Sequence, residues 1–337
     1  MTAATAPDTT ASVETASPGR DAAPAARQWV PGFLALALIW GSSFLFIGVA
    51  VRDLHPLYVS LGRVASGAVT ILVVLLVVRG RLPRAPRTWG HLAVIGVVGV
   101  ALPFTLFSYG EQRVSSILAG IWNATTPLVV LPMAALAFGI ERMTARRVTG
   151  LLVGFAGVLT VLGVWRGVGG TELTGQLMCF GAAVCYGIAI PYQRRFLTGA
   201  SDSPVGVPAG QLIVATVVLA IVAPVVGGAP PSPAAVPLPA LASVLALGVL
   251  GTGLAFLLNF RVIRVAGASA SASVTYLLPV VATVLGVLVL DEHLSWYQPV
   301  GALVVLGGVA ISQGVIRWPV RRRARRPSPA VAPPATC

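Results

Sequence analysis

The sequence is short of charge before anything else. Of its 337 residues only 10% are Asp, Glu, Lys or Arg, while 56% are apolar and the mean hydropathy is +0.88. So few charges cannot cover the surface of a soluble globule, which excludes that class. Lysine is missing: all 23 basic residues are arginine, an absence that speaks of a GC-rich bacterial gene rather than of mechanism. Three cysteines are too few for a disulfide framework, and Cys337, the last residue, stands wrongly for a prenylation box. His55, His91 and His293 sit at loop edges without metal-ligand spacing, so no metal or other cofactor is expected. No apolar run embeds paired carboxylates or a His/Asp/Ser set, which argues against an enzyme.

What is present is hydrocarbon. Apolar runs near the ~20 residues that cross a bilayer recur near 31–51, 57–78, 91–109, 117–139, 148–165, 175–196, 208–228, 240–260, 269–290 and 297–316. The fold class is an all-α integral membrane protein with ten transmembrane helices. Residues 1–28, rich in Ala, Thr and Pro, read as a disordered cytoplasmic tail without a cleavable signal. Residues 317–337 form a basic cytoplasmic tail whose RRRARR run, 321–326, suits anionic membrane lipid; nucleic acid is not an expected partner.

Arginine fixes the orientation. With the N-terminus inside, the cytoplasmic segments hold Arg79, Arg81, Arg84 and Arg87, then Arg142, Arg146 and Arg147, then Arg194, Arg195, Arg261 and Arg264, besides those of the two tails. Only Arg52, Arg113 and Arg166 fall outside, so both termini are placed in the cytoplasm. Five tryptophans stand at span ends as an interfacial belt, but Trp40 and Trp122 do not.

Two stretches resemble each other: 123–158 and 275–309 align Pro127 with Pro279, Glu141 with Glu292, Gly150 with Gly301 and Gly157 with Gly308. This divides the chain into a first repeat, 31–165, and a second, 175–316. Five spans per repeat turn the second upside down, and inverted repeats are the architecture of secondary transporters. WGSSF at 40–44, Arg63 early in span two, Pro127 leading to GIER, and Pro279 leading to DEHL resemble the EamA-type transporters of the drug/metabolite transporter superfamily. The resemblance implies a carrier of the bacterial inner membrane that moves small metabolites, often outward, by alternating access. It also implies a central cavity walled by spans one, two, four, six, seven and nine, with five and ten peripheral.

The polar residues inside the spans are the candidates for that cavity. Trp40, Ser42 and Ser43 fall near the bilayer midplane, and Arg63 lies ~10 Å below the outer surface, where it either anchors to headgroups or meets a solute carboxylate. Trp122, Asn123 and Thr126 enter span four ahead of Pro127; Ser271, Ser273, Thr275 and Tyr276 repeat that arrangement in span nine ahead of Pro279, and both prolines break their helices. Tyr186, Gln211 and Asn259 complete the set. Small hydroxyls serve equally well as packing glue, as do Gly150, Gly154 and Gly157 with Gly301, Gly307 and Gly308. Glu141 and Glu292 read as interfacial ion pairs.

Every carboxylate lies in a tail, a loop or a span end, which favours facilitated or potential-driven movement over proton drive; Glu111 is the one coupling candidate. The expected function is a secondary transporter of a small organic solute, an amino acid or an aromatic or amphipathic compound, exported through an aromatic cavity. A translocase of lipid or lipid-linked sugar is the alternative, ahead of a membrane-embedded enzyme, and a homodimer is left open.

Overall fold

A computed structural model describes residues 26–166, 170–201, 203–266 and 273–314. The two tails, apart from Ala26, Arg27 and Gln28, and Ser271 lie outside the described residues. All regular structure among those residues is helical. Eight helices are long and apolar enough to cross a bilayer: α1 (Gln28–Ala50), α2 (Pro56–Val77), α3 (Pro86–Gly110), α4 (Ser116–Ala137), α5 (Ala145–Leu162), α6 (Gly170–Phe196), α7 (Gly206–Gly227) and α8 (Leu238–Val265). Two shorter apolar helices follow, α9 (Val274–Leu290) and α10 (Tyr297–Gln313).

The helix ends have local causes. Pro56 and Pro86 open α2 and α3, where a missing N–H is harmless. Ser115 and Thr144 cap α4 and α5 by accepting from the N–H of Leu118 and Arg147. Left-handed Gly163 and Gly314 close α5 and α10. Less regular are α4, which ends in a π turn at Met133–Ala137, and α3 and α8, each of which loosens into a π turn midway, Val97–Ala101 and Val249–Leu254. The turns of α3 and α8 begin eleven residues into their helices, 86 to 97 and 238 to 249. A π turn shifts carbonyls out of the regular ladder and recurs at functional sites.

α5 and α10 pack backbone against backbone. A Cβ on Gly150 would come 2.5 Å from the carbonyl oxygen of Gly308, and one on Gly157 2.9 Å from that of Gly301, so the helices run antiparallel. Gly307, expected on this seam, faces nothing within 4 Å. α2 and α7 are likewise antiparallel: Gly227 approaches His55 at one end and Gly80 approaches Ser203 at the other. Around these pairs α1 packs on α8 and α9, while α6 packs on α3 and α4.

The bundle has two chemically different faces. One holds Glu141, which pairs with Arg147 at 3.0 Å and Arg194 at 3.1 Å. The described end of α10 reaches this arginine-rich face, since Gly314 lies against Arg146; the start of α1 lies there too, with Gly32 beside Val262 near the end of α8. The opposite face carries Glu111 and Glu292, with Trp165, Trp296 and Tyr297 clustered at its edge.

Candidate functional site: a central cavity open toward the arginine-rich face

A cavity of about 720 Å³ runs from the middle of the bundle to Arg194, Thr198 and Ser203 at the arginine-rich face. Toward the other face it ends on Phe44, Ile47 and Phe107, which belong to a dry core with Ile117 and Val114. Every helix except α5 and α10 contributes to its wall. The six helices implied by the family resemblance are thus joined by α3, through Gly99 and Phe104, and by α8, through Gly251 and Asn259.

Of the residues singled out in the sequence, Trp40, Ser43, Arg63, Asn123, Thr126, Tyr186 and Gln211 come together on this cavity. Others do not line it. Trp122, one residue and hence about 100° around the helix from Asn123, is 1% exposed and packs edge-on against Phe180 at 5.5 Å. Its indole N–H meets no partner among the described residues. Ser42 turns its hydroxyl back to the Ile39 carbonyl at 3.1 Å. Tyr276 packs toward Leu128, Val305 and Val309, on the α10 side of α9. Ser273 sits in a short 3₁₀ turn before α9, and its side chain is outside the described set. Pro127 and Pro279 stand one step behind the wall, each lacking the N–H that would bond back to Asn123 and Thr275, two residues that do line the cavity. Thr126 is 7% exposed, and its hydroxyl has no hydrogen-bond partner among the described residues.

At mid-depth the wall is polar because of α8. The π turn frees the Gly251 carbonyl, which accepts the Trp40 indole N–H at 3.2 Å. The next residue, Thr252, donates to the Leu247 carbonyl at 3.0 Å and accepts from Arg63 Nε at 3.3 Å. The Arg63 guanidinium carbon lies 3.7 Å from the centre of the Phe104 ring, a cation–π contact. Arg63 is 7% exposed, and among the described residues no carboxylate comes within ion-pair distance of it. A buried cation held by one neutral oxygen and one ring face is short of a counter-charge. Phe104 and Thr252 were not legible as site residues; the only trace was the glycine spacing, Gly96 and Gly99 in α3 and Gly251 and Gly253 in α8.

A second pocket, about 280 Å³, opens on the opposite face between Glu111, Glu292, Arg52 and Ser116. Among the described residues Glu292 forms no ion pair. Its carboxylate accepts the Ser116 N–H at 2.8 Å, the Ser116 hydroxyl at 2.9 Å and the Ile117 N–H at 3.1 Å, capping α4 from the end of α9. The ion pair expected of Glu292 is therefore replaced by a helix cap, because donors of α4 and not an arginine meet it. Glu141, by contrast, makes the pairing expected of it.

The sequence profile of the EamA-like transporter family matches residues 27–163 and again residues 173–313. The chain belongs to the EamA-like transporter family. Among its EamA-like relatives, the uncharacterized transporter YoaV of Bacillus subtilis is 25% identical over 279 residues, 82% of this chain and 94% of YoaV. The uncharacterized inner membrane transporter YedA of Escherichia coli K12 is 29% identical over 317 residues, 91% of this chain and 96% of YedA. A crystal structure of another protein, 22% identical, superposes with a TM-score of 0.60 over 87% of this chain and 99% of its own, a likeness of fold alone.

Proposed function

We propose that this EamA-like transporter is a secondary carrier of the bacterial inner membrane that binds a small organic solute with a carboxylate and an apolar or aromatic body, and exports it by alternating access. The observation that carries the solute class is Arg63: a cation buried at mid-cavity without a carboxylate, flanked by Trp40, Phe104 and Tyr186. A solute carboxylate would supply the absent charge, and the rings would hold the body of the solute. In this reading the chain is not an enzyme.

The architecture underlying that cycle is ten spans in two inverted halves, 31–165 and 175–316, with both termini in the cytoplasm. Close approaches that recur between the halves support it. A Cβ on Gly41 of α1 would meet Val281 Cβ of α9 at 2.5 Å, and a Cβ on Gly187 of α6 would meet Val129 Cβ of α4 at 2.5 Å. Gly62 in α2 faces Val244 in α8, and Gly210 in α7 faces Leu92 in α3. The next residues, Arg63 and Gln211, are then counterparts that share the cavity. The cavity opens beside Arg194 on the face that also carries Arg146 and Arg147, which favours a cytoplasmic opening, so this conformation is the one that loads solute for export.

Reconstituted flux tests the proposal. Proteoliposomes loaded with radiolabelled aromatic amino acids, aromatic amines, purines or sugars are followed with and without a voltage. Counterflow is expected for a carboxylate-bearing compound and is expected to be lost in Arg63→Ala at normal insertion. Counterflow limited to amines or sugars and indifferent to Arg63 contradicts the solute class.

A further inference from the structure

The opposite face carries a feature that solute binding does not use. Glu111, the residue that ends α3, is 8% exposed, and neither of its carboxyl oxygens has a hydrogen-bond partner among the described residues. It lines the same 280 Å³ pocket as Glu292. The two carboxyls differ in what surrounds them. Glu292 has three donors at a helix N-terminus; Glu111 has no donor in full hydrogen-bond geometry among the described residues, only the backbone of Gly48 approaching it, and shares its pocket with the Glu292 carboxylate. Of the two, Glu111 is the one whose surroundings favour holding a proton. Burial drives Glu111 well above the usual carboxylate range, the Glu292 charge adds to this, and Arg63 opposes it from α2. The other groups around it are Arg52, exposed at the rim, and the buried Cys179 thiol of α6 beneath. Arg113, two residues on, turns its guanidinium to the Tyr109 carbonyl at 2.9 Å.

We propose that Glu111, set against Glu292, is a proton-binding site whose occupancy holds this face of the carrier closed. The closed arrangement needs Glu292 on the N-terminus of α4, which straps α9 to α4 above the dry end of the cavity. That strap places a negative charge over Glu111, and only a neutral Glu111 is compatible with it. Opening the face parts α9 from α4, admits water to Glu111 and releases its proton. No bond other than O–H forms or breaks. The closed state binds the proton more tightly, so rising pH drains it. The closed-to-open ratio falls by at most tenfold per pH unit, between the proton affinity of a hydrated Glu111 and that of the buried one. The inference rests on the carrier reading, and it supplies that carrier with a coupling ion taken from the side opposite the cavity mouth.

Infrared titration of the purified full-length protein, from about pH 5 to about pH 9, where buried carboxyls titrate, tests the site without a solute. A protonated-carboxyl carbonyl band is expected that fades with rising pH, is absent in Glu111→Gln, returns in Glu111→Asp, and in Glu292→Gln fades at lower pH. A spectrum unchanged by Glu111→Gln in protein that still elutes as a folded species overturns the site. A midpoint unmoved by Glu292→Gln overturns the pairing. Proteoliposome flux of tritiated aromatic amino acids, aromatic amines, purines and sugars separates the two readings: a Glu111 band without flux of any of them leaves the site standing and sinks the carrier, whereas flux without the band does the reverse.

Discussion

Residues 27–163 and 173–313 match one family profile, yet at corresponding positions they carry different chemistry. Where backbones approach, the two stretches agree: glycines at 41 and 187, at 62 and 210, and on the α5/α10 seam meet equivalent neighbours. Where side chains reach the cavity, they part: Arg63 against Gln211, Trp40 against Tyr186. At the π turns, fifteenth in each helix, Thr252 stands against Val100. Glu141 is held by two arginines on one face, while Glu292 caps a helix on the other. Packing positions tolerate little change, because a Cβ would strike a facing side chain at 41, 62, 187 and 210 and the facing backbone on the α5/α10 seam. Cavity positions are free to diverge, so specificity accumulates on one side of an otherwise shared scaffold.

The largest effects should come from breaking the agreement. Gly150→Leu and Gly308→Leu each drive a side chain into the facing backbone, and both are expected to abolish monodisperse protein in size-exclusion chromatography. Gly307→Ala, in open space, should leave the elution profile unchanged. Next comes the Arg63/Gln211 contrast. Arg63→Ala removes the proposed charge partner of the solute, an effect expected at about 2–5 kcal/mol or at least ~30-fold in flux at low solute. Gln211→Ala removes one neutral hydrogen bond at most, and should cost about tenfold or less by the same assay.

Smaller still is the contrast between the carboxylates. Glu292→Gln weakens a charge-assisted cap and should lower the melting temperature more than Glu141→Gln, whose ion pairs are part-exposed and contribute ~1 kcal/mol or less. The smallest effect belongs to the aromatic pair. Trp40→Phe loses the hydrogen bond to the Gly251 carbonyl, about 1 kcal/mol, and should be read as a modest drop in solute affinity. Tyr186→Phe keeps the ring that packs against Phe107 and should change affinity less.

Much of this organisation was legible in the sequence. Eight membrane-length helices and two shorter apolar ones lie where hydropathy put spans, and the seam glycines, Gly307 excepted, followed from their spacing. Trp40 stood out because its depth was wrong for an interfacial tryptophan, and it does reach a polar partner. What could not be read was direction around a helix. Trp122 and Asn123 are adjacent in sequence, yet one is in the core and the other on the cavity. The π turns were also hidden, since no residue pattern but a few glycines marks them, and with them went Thr252 and its contact to Arg63. Glu292 looked like its counterpart Glu141 until the α4 N-terminus appeared beneath it; a cap between distant segments leaves no local signal.

The central claim is that the charge of Arg63 selects the solute. The most direct measurement compares flux of an aromatic carboxylate with that of its neutral amide through wild-type protein and Arg63→Gln in the same proteoliposomes. The account predicts that wild type prefers the carboxylate and that Arg63→Gln erases the preference while still inserting normally. Equal transport of acid and amide by wild type, or a preference that survives Arg63→Gln, would contradict it.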